Sequence, residues 1–204
     1  MSQPFNRTGS VALPGQLDSS LGEFWVENPW HIVSRGHNLS AFERNRVYLN
    51  VQGRDFLEIS HLSGADSDGD GRSVVAADFR RTGQQDLIVR QAGGGPLLLY
   101  ENRMPSRSYL QVSLRGQKSN PQGIGARLIA QAGTLSQTRE MFPANGYLSQ
   151  APNVVHFGLG DAKIVDKLTI RWPSGKVQTL KNIKAGQHIL VDEAKDGDDA
   201  YSAR

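Results

Sequence analysis

From Arg46 to Glu193 apolar and polar residues alternate in short runs broken by Gly, Asp and Asn. A period of two is that of a strand with one face buried, so the chain reads as all-β. The runs "RVYLNVQ" and "DFLEIS" flank "GRD" and predict a hairpin. "SVVAADF", "DLIVRQ" and "PLLLYEN" follow, separated by "RRTGQQ" and "AGGG". Several short strands with Gly/Asp turns in about fifty residues form the pattern of one propeller blade, or a little more. A single blade cannot bury both of its faces, so this one is expected to lean on something else.

Between residues 106 and 193 the alternation continues through "YLQVSLRG", "ARLIAQAG", "LSQTREMF", "VVHFGLG", "DKLTIRW", "VQTLKNI" and "HILVDE". So many strands in one stretch argue for a β-sandwich or compact barrel. "WPSGK" sets Pro and Ser at the centre of a tight turn, and Trp172 beside it is expected to anchor a domain edge. The predicted architecture is a propeller-blade-like antiparallel sheet region packed on that sandwich or barrel. Its parts are a flexible arm (1–21), a blade region with an aromatic lead-in (22–105), the sandwich (106–193) and a polar tail (194–204). In the lead-in, "NLSAFERN" predicts a helix of one or two turns.

With 204 residues the chain is long enough for one domain or two small ones. The absence of cysteine excludes disulfides, cysteine-ligated zinc and thiol catalysis. No run is long enough to cross a bilayer as a helix. The opening "MSQPFNRTGS" lacks the basic-then-apolar pattern of a signal peptide. Net charge is +3, but residues 1–106 hold ten basic and twelve acidic side chains, and 107–204 thirteen and eight. The basic half could attract a polyanion. Its Lys and Arg are nevertheless spread singly along alternating strands, which is the pattern of a solvated face and disfavours nucleic acid.

Two acidic loops carry the candidate chemistry. In "DSDGDG", Asp66, Asp68 and Asp70 alternate before a glycine as in the opening of a calcium loop, but Val74 and Ala77 stand where later ligands belong. In "ADFRRTGQQDL", Asp78 and Asp86 occupy the ends of a shorter loop, with Arg80 between them. Calcium takes six to eight oxygens, whereas a guanidinium can satisfy a carboxylate without metal through two parallel hydrogen bonds. The reading is a former ion loop closed by an internal Arg–Asp contact.

The remaining candidates are fewer. The histidines show no metal-ligand spacing, although His31 and His37 could share an ion, and His156 is expected to be packed or hydrogen-bonded within a strand. Trp25 and Trp30, with Phe24, could stack on a sugar or fill a gap in the core. No nucleophile elbow or phosphate loop is present.

In order along the chain, "SNPQGIGARL", "QTRE", "NGYLSQ", "VHFGLGD" and "LTIRWPSGKVQTL" resemble the ASPIC/UnbV domain. The preceding "DGDGRSVVAADFRRTGQQDLIVRQAGGGPLLLYEN" resembles a single FG-GAP/VCBS propeller repeat. This pairing, as in cartilage acidic proteins, implies a secreted or extracytoplasmic protein whose repeats often bind calcium. The ligand places of such a repeat fall here on Asp78, Arg80, Thr82 and Asp86, so the pattern breaks at the third place of the loop. The expected function is a non-enzymatic interaction or scaffolding module, with a protein partner or self-association through the blade edge. The alternatives are a carbohydrate-binding module at Trp25 and Trp30, and a metal-dependent, polysaccharide-directed enzyme built on the aspartates or His31.

Overall fold

The computed structural model describes residues 15–204 other than 22, 24, 29, 30, 32, 36–43, 52, 70, 92–95 and 145. Trp30, His37, Asp70 and most of the helix expected at 38–45 therefore lie outside the described residues. The chain is nearly all β. It divides into two compact units, Met1–Asp70 and Gly71–Arg204.

The first unit holds the expected hairpin, β1 (Tyr48–Val51) against β2 (Asp55–Glu58), antiparallel with Val51 opposite Asp55. A single helical turn, α1 (Ser60–Ser63), follows and ends on Gly64 in the left-handed conformation. The Ser60 hydroxyl accepts the Val47 N–H at 2.8 Å, and the Ser60 N–H donates to Glu58 Oε1 at 2.9 Å, tying the turn to the hairpin.

The second unit opens with a three-stranded antiparallel sheet: β3 (Gly71–Ala77), β4 (Asp86–Gln91) and β5 (Leu98–Tyr100), in that order. The remaining strands are β6 (Ser108–Arg115), β7 (Arg127–Ala132), β8 (Leu135–Glu140), β9 (Val155–Gly160), β10 (Ile164–Arg171), β11 (Val177–Lys184), β12 (Gln187–Asp192) and β13 (Tyr201–Ala203). They form two four-stranded sheets, β11-β10-β7-β8 and β13-β12-β6-β9, packed as an open sandwich with no closed barrel. All named pairings in the sandwich are antiparallel except β12 on β6.

Alternation explains the core. Leu110 and Val112 of β6, Phe157 of β9 and Ile189 of β12 face inward from one sheet, meeting Leu128 of β7 and Leu168 and Ile170 of β10 from the other, all fully buried. Each such side chain removed from water contributes about 1.5–3 kcal/mol. The alternation slips on two facing strands: Val165 and Leu168 of β10 are buried around exposed Asp166 and Lys167, and Leu180 and Ile183 of β11 around exposed Lys181 and Asn182. Asn182 takes φ 55 there, a conformation asparagine tolerates better than most residues.

Two expectations are corrected. Trp172 is a core residue, 3% exposed, with its indole N–H donating to Gln178 Oε1 at 3.0 Å, because the turn folds its ring back between the sheets. The end of the chain is not a free polar tail. Ala200 is fully buried and β13 pairs with β12, since three residues suffice to extend an existing sheet without an apolar run of their own.

Candidate functional site

The 78–86 loop joins β3 to β4 and lies over the outer face of the sheet β13-β12-β6-β9. Asp78 organises it: Oδ1 accepts the Thr82 N–H at 2.8 Å, and Oδ2 accepts the Gly83 N–H at 2.7 Å and Gln111 Nε2 at 2.9 Å. A carboxylate bonding backbone N–H groups a few residues on is the ordinary way Asp closes a turn. The price of the turn's shape is paid at Arg81, held at φ 56. Gly83 continues it at φ 82, its carbonyl accepting His156 Nε2 at 2.9 Å.

Arg80 points the other way. Its Nε lies 3.1 Å from Asp86 Oδ2 and its Nη2 2.9 Å from Oδ1, a two-pronged grip, while Nη2 also donates to the Asn102 carbonyl at 3.0 Å. The Asn102 N–H donates to Asp86 at 2.9 Å, and the Phe79 N–H bonds to it as well. Asp86 is 1% exposed. Arg80 holds its carboxyl below the usual carboxylate range, against the opposing effect of burial, and Asp86 in turn raises the guanidinium.

These donors decide how the loop suits calcium. The carboxylates of Asp78 and Asp86 are committed to N–H groups and a guanidinium, and a cation at Asp86 would meet the positive charge of Arg80. The donor set does not fit a site that needs six or more oxygens. Asp66 is likewise engaged, with Arg44 Nη1 and His61 Nδ1 each 2.9 Å from Oδ2. Asp68 is exposed and Trp25 half-buried. Among the described residues no three His, Asp or Glu side chains are grouped to hold a metal ion.

Beneath the loop runs a polar row that sequence reasoning did not assemble. Gln111 of β6 stands opposite His156 of β9 and His188 of β12, so the three cross the outer face side by side. Tyr109 stacks on His156 with ring centroids 6.0 Å apart and planes 7° from parallel. His188 Nε2 shares a 2.8 Å hydrogen bond with Ser113 Oγ. Burial, followed by the charge of Arg204, pushes the His188 imidazole down toward its neutral form, and Asp78 opposes this. The signal available in the sequence was polar residues at alternate strand positions, which marks a face but not its neighbours.

Between loop and row lies a cleft of about 680 Å³, lined by Asp78, Arg81, Tyr109, Gln111, His156 and His188 among others. Ser113 is 5% exposed and does not line it, so the Ser113–His188 pair offers no accessible nucleophile. Chemically the cleft can bind and orient a polar molecule through amides, a guanidinium and flat ring surfaces.

No curated protein matches the chain. The family comparison falls on the sandwich: residues 116–198 match the family model described as ASPIC and UnbV, and that part of the chain, which carries His156 and His188, is similar to this family.

Proposed function

We propose that the chain is a non-enzymatic interaction or scaffolding module that works outside the cytoplasm, with a calcium-repeat-like loop closed by a guanidinium instead of an ion. The extracytoplasmic part of this reading rests on the ASPIC/UnbV likeness of residues 116–198 and on the propeller-repeat resemblance of the preceding segment. The observation that carries the rest is the grip of Arg80 on buried Asp86. It supplies in cis the positive charge that an ion would bring, so the loop keeps its shape without a reactive centre.

A binding module needs a surface, and the three-stranded sheet supplies one. The β3 edge is partly engaged, because the Val74 carbonyl accepts the Ser149 hydroxyl at 3.2 Å. The β5 edge is short and exposes Leu99 at 55%, with Leu97 just before the strand exposed at 66%. An open strand edge with apolar side chains is a template for an added strand, from a protein partner or a second copy.

The deciding experiment is a thermal melt of chelator-treated protein with and without millimolar calcium. Binding at a hundred times Kd would add about 2.7 kcal/mol, roughly 5–10 °C for a chain of this size. The proposal expects no shift, and a calcium-dependent rise that disappears in Asp86→Asn would overturn it. Light scattering of the wild type and Leu99→Asp tests the edge: self-association lost in the variant supports pairing through β5.

A further inference from the structure

We propose that the cleft between the 78–86 loop and the outer face of the sandwich binds a uronate-type sugar, with Arg81 holding its carboxylate. The proposal uses residues of the second unit and not Trp25 or Trp30. It adds a ligand class to the binding reading and rests on that reading for the shape of the 78–86 loop, while its test is separate from the calcium melt.

Charge is the first argument. Two neighbouring arginines leave the loop in opposite roles. Arg80 is consumed by Asp86, whereas the Arg81 side chain lines the cleft and has no hydrogen-bonded or ion-paired partner among the described residues. A second guanidinium, that of Arg204, also borders the cleft and acts on His188. The acid in the cleft, Asp78, already accepts from Thr82, Gly83 and Gln111. The unspent charge is therefore positive, and a planar guanidinium matches a carboxylate with two parallel hydrogen bonds.

Backbone geometry is the second. Arg81 sits at φ 56, one of three non-glycine residues with positive φ among the described residues. Holding a non-glycine residue there costs stability, and such positions cluster where a ligand is gripped. Asp78 enforces the turn from below, so Arg81 is presented from a fixed backbone.

The rest of the lining selects among anions. Tyr109 stacked on His156 and the 43%-exposed Phe79 offer flat faces. Gln85 and Gln187 also line the cleft, and Gln187 Nε2 donates to the Lys184 carbonyl, which leaves its Oε1 for a ligand hydroxyl. A bare phosphate would use none of these. A ring with hydroxyls and one carboxylate uses all of them, and the volume suits one or two such rings.

The test is titration calorimetry of the full chain with a galacturonate disaccharide, its neutral galactose counterpart and inorganic phosphate. The expected result is binding of the uronate, at least about tenfold weaker binding of the other two, and uronate affinity falling with added salt. Arg81→Ala and Arg81→Gly should each weaken uronate binding about tenfold or more, with melting temperatures at or above that of the wild type. Gln187→Ala should weaken it less. Absence of uronate binding, equal binding of the neutral sugar or of phosphate, or indifference to both Arg81 variants would each overturn the assignment. A failure here leaves the calcium melt unaffected, so the two readings fail separately.

Discussion

Gly83 passes so close to the ring of Tyr109 that a Cβ built on it would overlap the ring carbons. The contact joins the 78–86 loop to β6 of the sandwich, and it is reinforced by the His156 hydrogen bond to the Gly83 carbonyl. The absence of a side chain at one residue thus governs how a loop and a sheet face meet.

Gly83→Ala is expected to be strongly destabilising, because the new methyl group both strains φ 82 and displaces Tyr109. Overpacking and backbone strain each cost about 1–3 kcal/mol. Urea unfolding measures the loss. Adding Tyr109→Ala should recover part of it if the overlap contributes, and no recovery would mean that backbone strain alone is responsible.

Removing Arg80 leaves the Asp86 carboxylate buried with backbone N–H donors, those of Asn102 and Phe79, and no counter-charge. Arg80→Ala should therefore lower the unfolding midpoint more than Arg80→Leu combined with Asp86→Asn, in which no charge remains uncompensated. A double variant as unstable as the single one would show that the pair holds the loop by more than its charge.

Glu193 controls stability in acid. Burial acts to raise its pKa but is outweighed by hydrogen bonds from the Ser174 hydroxyl, the Ser119 and Gln117 N–H groups and the Ser119 hydroxyl, which hold it down at about 2 against an ordinary 4.5. A depressed carboxylate stabilises the fold fully above 4.5 and loses that contribution as pH falls through 2. The shift corresponds to about 3 kcal/mol at about 1.36 kcal/mol per pH unit. Stability measured between pH 5 and 2 should fall more steeply in the wild type than in Glu193→Gln.

His188 adds a milder dependence in the same direction. Its pKa is lowered from 6.5 in the fold, so protonation favours the unfolded chain. The stability it protects is complete above 6.5 and declines as pH falls below that value. Its ring resonance in NMR should titrate below 6.5, and His188→Asn should flatten the stability profile just under that pH. A midpoint above 6.5 would show that Asp78 outweighs burial and Arg204.

Several features were legible before any fold was known. The hairpin β1–β2 followed from two alternating runs around "GRD", and β6 to β12 from seven such runs. The Arg80–Asp86 contact could be read from a guanidinium standing between two carboxylates in a short loop. Trp172 was misplaced because an aromatic beside a turn carries no mark of whether the turn folds inward. The segment 194–204 was misplaced because strand pairing depends on the edge waiting for it more than on its own composition.

Alternation along the chain was enough by itself to determine that this protein is built of strands with one apolar face, because the period of side chains on a strand is a local property. Gln111, His156 and His188 stand at polar positions of that alternation. Their meeting in one row, Asp78 reaching Gln111, and Gly83 fitting against Tyr109 were decided by the tertiary structure alone. Those partners lie between 26 and 77 positions apart in the chain, and the alternation that assigns a residue to a face says nothing about which strands will lie beside it.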